Sequence, residues 1–212
     1  MGKLYQGILG GISGKVGNVI GSSWKGIPVI KARPLSVANP RSAGQVAQRG
    51  KLSNVVAFAK PLLSSVLKPL WDRFAQQQSG YNAFIGENID LFASSMPSPA
   101  SDLVVSKGKR GATSILSVAG IDGASTSTIS WENDSGVGLK LDSDEAYVVL
   151  VNEDLELVKG FAPGNVRSDT SAMVDLDQNF TTGQVLHAYL SFRRTDGTVV
   201  SDNSYKEKVV EM

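Results

Sequence analysis

The chain of 212 residues contains no cysteine and a single histidine, His187. Without cysteine there are no disulfides, no thiolate nucleophile and no thiolate zinc site. This fits a protein made in a cytoplasm. No stretch approaches the ~20 consecutive apolar residues of a membrane helix, so no membrane is expected among its partners. The opening residues MGKLYQGILGG lack the apolar centre of a secretion signal, and Gln6 stands where a myristoylation signal carries Ser or Thr. Aromatic residues are scarce, at 7%. No acidic residue precedes Asp72.

That last absence reflects a division of charge. Residues 1–95 hold eleven Lys or Arg against three Asp or Glu, a net +8; residues 96–212 hold ten against seventeen, a net −7. The whole chain carries only +1. Such a split implies different surroundings for the two halves. The basic half suits nucleic acid, an acidic protein surface, or the acidic half of another copy.

What the sequence has in plenty is glycine, and it is concentrated early: GGISGKVGNVIGSSWKG, residues 10–26, holds six. A phosphate-binding loop would need G-x-x-x-x-G-K-[ST]. Leu9 replaces its first glycine and Val16 its hydroxyl, so magnesium would have no ligand. The G-x-G-x-x-G spacing of dinucleotide sites is also missing. The segment reads instead as an arm whose backbone can run close to another surface. Its expected docking residues are Ile12, Lys15, Val16, Val19, Ile20, Trp24, Lys25, Ile30 and Arg33.

Residues 1–38 are expected to be this extended basic arm, with strands Lys15–Trp24 and Ile27–Arg33 joined as a hairpin at Lys25-Gly26. Pro28 and the glycines argue against a buried central strand, and a lone hairpin is marginal in water. Residues 39–93 form a helical segment. Ser42 is the expected N-cap of a helix over Gln45–Ala59, with Val55, Phe58 and Ala59 on one face and Leu52 and Val56 near it. Pro61 suits the first turn of a second helix, and Pro69 should kink it. After the break at Gly80, Tyr81, Phe84 and Ile85 start a third helix that ends near Asn88. The Pro/Ser stretch SSMPSPAS, residues 94–101, is the expected linker and domain boundary.

Beyond it the period becomes two. Expected strands are Asp102–Ser106, Thr113–Val118, Ser125–Glu132, Ala146–Asn152, Leu155–Lys159, Ser171–Leu176, Val185–Arg193 and Thr198–Tyr205. Asp196-Gly197 marks a hairpin. The fold class is therefore α+β, mainly β: an N-terminal arm and hairpin, a short helical segment, and an antiparallel β-sandwich over residues 102–212. Leu186, Ala188, Leu190 and Phe192 should face its core, with His187 and Tyr189 pointing away.

Two resemblances follow from particular residues. TSTISWEN resembles the tryptophan-bearing B strand of fibronectin type III and immunoglobulin-like modules, with Trp131 in the core. LHAYLSFRRTDGTVVSDNSY resembles their F–G hairpin, with Tyr189, Gly197 and Ser201 in matching places. Over roughly residues 5–90, GISGKVGNVIGSSWKGIPVIKARP, NPRSAGQVAQRGKL, LKPLW and SGYNAFIGENI resemble an uncharacterised family of structural proteins from Bacteroidota and their phages. That resemblance implies a virion context and no chemistry.

The remaining candidates read as structural. His187 would have to serve any Ser-His-Asp triad, but it falls on the outward face of a strand beside Tyr189. DSDE (Asp142, Asp144, Glu145) and DLDQN (Asp175, Asp177, Asn179) have oxygen-rich spacing, yet neither completes a calcium loop; both read as solvated turns. Trp71 and Phe74 sit at helical spacing and read as core. Trp24 belongs to a segment too thin to own a core. The basic residues of the first half are spread out and accompany no nucleic-acid-binding motif. The expectation is a non-enzymatic virion protein, made in the bacterial cytoplasm, with no catalytic, metal or cofactor site and no small-molecule substrate. Its partners would be other virion proteins or further copies of itself. Alternatives are a glycan or surface adhesion module and a nucleic-acid-binding protein.

Overall fold

The computed structural model describes residues 2–3, 12–36, 39–108, 110–154, 156–161 and 164–211. The expected arm residues 4–11 and the expected strand start at Leu155 lie outside these. Two compact units divide the chain, Met1–Gln45 and Val46–Met212.

The first unit is an antiparallel sheet in the order β1-β4-β3-β2, from β1 (Gly2–Lys3), β2 (Gly14–Val16), β3 (Val19–Trp24) and β4 (Ile27–Ala32). This corrects the expected arm and two-stranded hairpin. The Lys15–Trp24 strand is interrupted by a two-residue turn at Gly17-Asn18, where Gly17 takes φ +56°. Positive φ at that first turn position favours glycine, so the sequence breaks there. The second turn is the expected Lys25-Gly26, both with positive φ. β4 is a central strand despite Pro28. Its pairing with β1 involves only Val29 and Ile30, so the missing N–H of Pro28 falls beyond that ladder. The unit ends in the first turn of α1 (Ala43–Leu62). There Ser42 and Gln45 exchange hydrogen bonds between side chain and backbone N–H, each 3.4 Å, as a capping box.

The second unit has three layers. α1 continues through Pro61, passes into a π-helical stretch Leu63–Leu67, and resumes as α2 (Lys68–Trp71), with Pro69 in its first turn. Pro61 thus closes one helix instead of opening the next. It has no N–H to give Ala57 O, four residues back; the π stretch beyond it is closed by Lys68 N–H on Leu63 O, immediately before Pro69. α3 (Gly80–Asn88) starts on Ser79, whose Oγ accepts from Asn82 N at 3.2 Å. Gly80 is its first residue, where a Cβ would come 2.7 Å from Trp71 Cβ.

The sandwich places β5 (Ile115–Val118), β6 (Thr126–Trp131) and β9 (Ser171–Asp175) in one sheet, ordered β5-β6-β9. Its other sheet, ordered β11-β10-β7-β8, contains β7 (Glu145–Asn152), β8 (Leu157–Phe161), β10 (Val185–Arg193) and β11 (Ser204–Val209). Asp102–Ser106 is not a strand; it follows a 3₁₀ turn at Ala100–Asp102. The last strand begins six residues later than expected. Arg193 still bridges Val200 across the Asp196-Gly197 turn, but Ser201 then bridges Arg110 before the regular ladder starts at Ser204.

Ile129, Trp131, Val148, Leu150, Leu186, Ala188, Leu190 and Phe192 fill the space between the sheets. The opposite face of the four-stranded sheet is also covered. Tyr147, Val149, Val151 and Tyr189 pack there with Phe58, Leu62, Val66, Leu70, Trp71, Phe84 and Phe92 of the helical segment. Each of these side chains removed from water contributes about 1.5–3 kcal/mol. The helices and the sandwich are therefore parts of one unit. The segment 94–101 does not separate domains: Met96 and Pro97 are buried, and Ala100 O accepts from Tyr189 Oη at 2.7 Å. No helix of the described residues is long and apolar enough to cross a membrane.

Candidate docking surface

The expected docking residues lie in the first unit, and register assigns them to its faces. Val16 pairs with Val19, Val19 with Ala32, and Gly21 with Ile30, which sets Val16, Val19 and Ile30 on one face. Lys15 pairs with Ile20, Ile20 with Lys31, and Trp24 with Ile27 on the other. Lys25 occupies the turn. Arg33 follows β4, its N–H donating to Asn18 O at 2.7 Å. Ile12 crosses the first face at Gly21, where a Cβ would stand 2.2 Å from Ile12 O; only glycine permits that crossing. The set therefore divides between two faces instead of forming one patch.

Gly21 is the only buried residue among those described in this unit. Val16 is 65% exposed, Trp24 55%, Ile12 42% and Val19 38%. Lys15, Lys31, Arg33 and Arg41 are exposed as well, and the unit contains no carboxylate side chain. The second face thus combines an open indole, half-buried Ile20, Ile27 and Val29, and lysines. Aromatic and aliphatic area beside basic groups, without acidic ones, suits an acidic partner with an apolar centre.

The other candidates resolve differently. His187 is 5% exposed, a correction to its expected surface position, because the helical segment covers that face. Its Nδ1 lies 2.9 Å from Tyr205 Oη and its Nε2 3.0 Å from Glu153 Oε2. Tyr205 Oη in turn donates to Glu207 at 3.1 Å. Burial first, then the Glu207 carboxylate, pushes the Tyr205 phenol up to about 12. Among the described residues no group of three or more His, Asp or Glu could hold a metal ion.

Of the two acidic turns, Asp175 and Asp177 are exposed, as expected. Asp144 is not: it is fully buried, with Arg110 Nη1 donating to Oδ2 at 2.6 Å. Sequence reasoning missed this partner because Arg110 lies 34 positions away. Trp71 is core, as expected, with its Nε1 donating to Val105 O at 2.7 Å; Phe74 is 37% exposed.

The second unit is thus a seven-stranded sandwich with the strand arrangement of fibronectin type III modules, one face roofed by helices. The chain belongs to the DUF6266 family, a family of unknown function, whose profile matches residues 11–207. That match runs from the first unit nearly to the end of the second, so the sheet and the sandwich belong to one family pattern. No curated protein matches the chain. Among solved structures it is similar to the FN1–FN3 domains of chicken CNTN1, with 12% identity and a TM-score of 0.33 over 50% of this chain and 33% of that one. The chain therefore spans a third of that structure. It is also similar to the fn3 domain of the human collagen alpha-1(XX) chain, with 16% identity and a TM-score of 0.30 over 49% of this chain and 86% of that one.

Proposed function

We propose that this protein is a non-enzymatic assembly component that docks through its N-terminal sheet on a neighbouring protein subunit. The sandwich and its helical layer form the body held in place. One observation carries the reading: the described sheet residues bury only Gly21, and leave Trp24, Val16 and Ile12 open to water. A foreign surface would remove that apolar area from water. Lysines and arginines without a carboxylate in the same unit favour an acidic surface over a basic one. The virion context rests on the resemblance of GISGKVGNVIGSSWKG, NPRSAGQVAQRGKL and SGYNAFIGENI to phage structural proteins. Capsid, connector and tail are all compatible with it.

The test is incorporation. Tagged full-length chain and its Trp24→Ser and Val16→Ser variants are produced alongside the particle, and each is quantified in purified particles. Incorporation of the parent chain and a loss of tenfold or more in the variants is the expected result. Equal incorporation of all three would reject docking by the sheet. Tight, steeply salt-dependent retention of DNA by the full chain would favour the nucleic-acid alternative.

A further inference from the structure

The negative charge of residues 96–212 is gathered at one end of the sandwich. Strands β7 and β9 finish there, and β6 and β10 begin: Asn152 pairs with Leu186, Val185 with Val209, and Thr126 with Asp175. Backbone hydrogen bonds from Gly123 N to Phe180 O at 2.9 Å and from Asp122 N to Glu211 O at 3.0 Å join the two sheets at this end. Residues 119–125, 153, 154, 156, 175–184 and 207–211 form it. They hold eight Asp or Glu, all exposed, against one Lys. The other nine acidic residues of 96–212 are matched by nine basic ones, so this end accounts for the excess. Ion pairs of Lys159 with Asp177 and of Lys208 with Glu211 offset part of the field. Among the described residues no three of the acidic or histidine groups are placed to hold a metal ion. The same end exposes apolar area. Ile121, whose backbone bridges Glu211, is 60% exposed, and Val209 is 47% exposed.

The first unit is the complement. Residues 1–45 hold six Lys or Arg and no Asp or Glu. In register, Ile20 lies between Lys15 and Lys31, on the face that carries Trp24. One surface thus sets an open indole among cations, and the other sets aliphatic side chains among carboxylates. Opposite charges at a rim orient two partners, and the apolar centres supply the contact that leaves water. The remainder of residues 96–212, with no net charge, offers the sheet no comparable field.

Resting on the docking reading above, we propose that the neighbour on which the N-terminal sheet docks is a second copy of this chain, at the acidic end of its sandwich. Trp24 is set against Ile121 and Val209, with Lys15 and Lys31 among the surrounding carboxylates. Each copy carries both surfaces, so the contact is heterologous. Repeating it closes a ring or extends a filament.

Sedimentation velocity of the purified full chain, from about 1 to 300 µM, reads the association. The mean mass should rise with concentration, with a dissociation constant of about 1–100 µM in about 0.05 M salt and binding at least tenfold weaker in about 0.5 M salt. Trp24→Ser should weaken it tenfold or more. So should Lys15→Glu with Lys31→Glu, and Glu207→Lys with Glu211→Lys. Glu132→Lys reverses a charge past the other end of β6 and should leave association unaltered. An equimolar mixture of the two doubly reversed chains should regain a dimer, because the sheet of one and the sandwich of the other still form an unaltered contact. That gain cannot come from a variant that fails to fold. A monomer at every concentration, a dimer that the Glu207 and Glu211 reversals leave intact, or no gain on mixing overturns the proposal. Particle incorporation judges docking separately: a monomeric chain whose incorporation still depends on Trp24 keeps the docking reading and identifies a different protein as the neighbour.

Discussion

The indole Nε1 of Trp131 donates to the backbone carbonyl of Arg167 at 3.0 Å. Arg167 in turn sets its guanidinium 3.9 Å above the ring of Phe192, which meets Trp131 edge to face with centroids 5.6 Å apart. A fully buried cation is thus seated in the hydrophobic core of the sandwich, with Asp134, Asp144 and Thr113 as polar partners. Removing one partner of a buried ion pair leaves the other uncompensated. Arg167→Met should lower unfolding free energy by about 3–5 kcal/mol, measured by urea denaturation. A change below 1 kcal/mol would show that the pairing is not structural.

The same network sets the response to acid. Burial alone would raise the Asp134 carboxyl, but the hydrogen bond from Lys140 and the charge of Arg167 outweigh it and hold the pKa below 3.8. A depressed carboxylate contributes stability that is complete above its unfolded value, and that contribution is lost as pH falls through its folded value. The urea midpoint should therefore begin to drop below about pH 4. In Asp134→Asn the midpoint at neutral pH should be lower and its further fall in acid shallower. The comparison is a series of urea melts between pH 7 and 2, and parallel curves would contradict it.

At the alkaline end the sign reverses. Burial raises the phenols of Tyr189 and Tyr205 above their ordinary 10.0, Tyr205 to about 12. The folded chain holds these protons after the unfolded chain has released them. Stability is therefore full below pH 10 and declines as pH rises toward 12. Burial raises the phenol of Tyr147 as well, so spectrophotometric titration of the native protein should show at least three of its five tyrosines ionising late, and all three should titrate normally in urea.

Gly160 fixes the helical layer on the sandwich. A Cβ there would come 2.5 Å from Val66 Cγ2 and 2.8 Å from both Leu62 Cδ2 and Ser65 Oγ. Gly160→Val should cost about 1–3 kcal/mol by forcing the π-helical stretch away from β8, read as a lowered thermal midpoint. An unchanged midpoint would mean that the layers are loosely packed.

Trp24 is 55% exposed, whereas Trp71 is 8% and Trp131 1% exposed. Acrylamide should quench one third of the indole fluorescence readily, and Trp24→Ser should remove that fraction. The same substitution should change stability by no more than about 0.5 kcal/mol, since it touches no core.

Much of the second unit was legible locally. Alternation in Val185–Arg193 assigned Leu186, Ala188, Leu190 and Phe192 to the sandwich interior, and the tryptophan of β6 fell in its expected place. Within the first unit, Lys25-Gly26 located a turn and Ser42 located a helix start. These features depend on period and on backbone preference within a few residues, which a sequence carries directly.

Tertiary structure alone decided that the sheet has no free outer face. The unbroken run of Ala146 to Val151 was a hint of burial on both sides, but only the packed helices explain why His187 and Tyr189 are enclosed. It also decided the fate of the charges. Asp144 reads as a turn residue until Arg110 and Arg167, 34 and 23 positions away, come to meet it. Local pattern fixes which way a side chain points; what waits there depends on contacts between distant segments, whose formation is governed by the shared core.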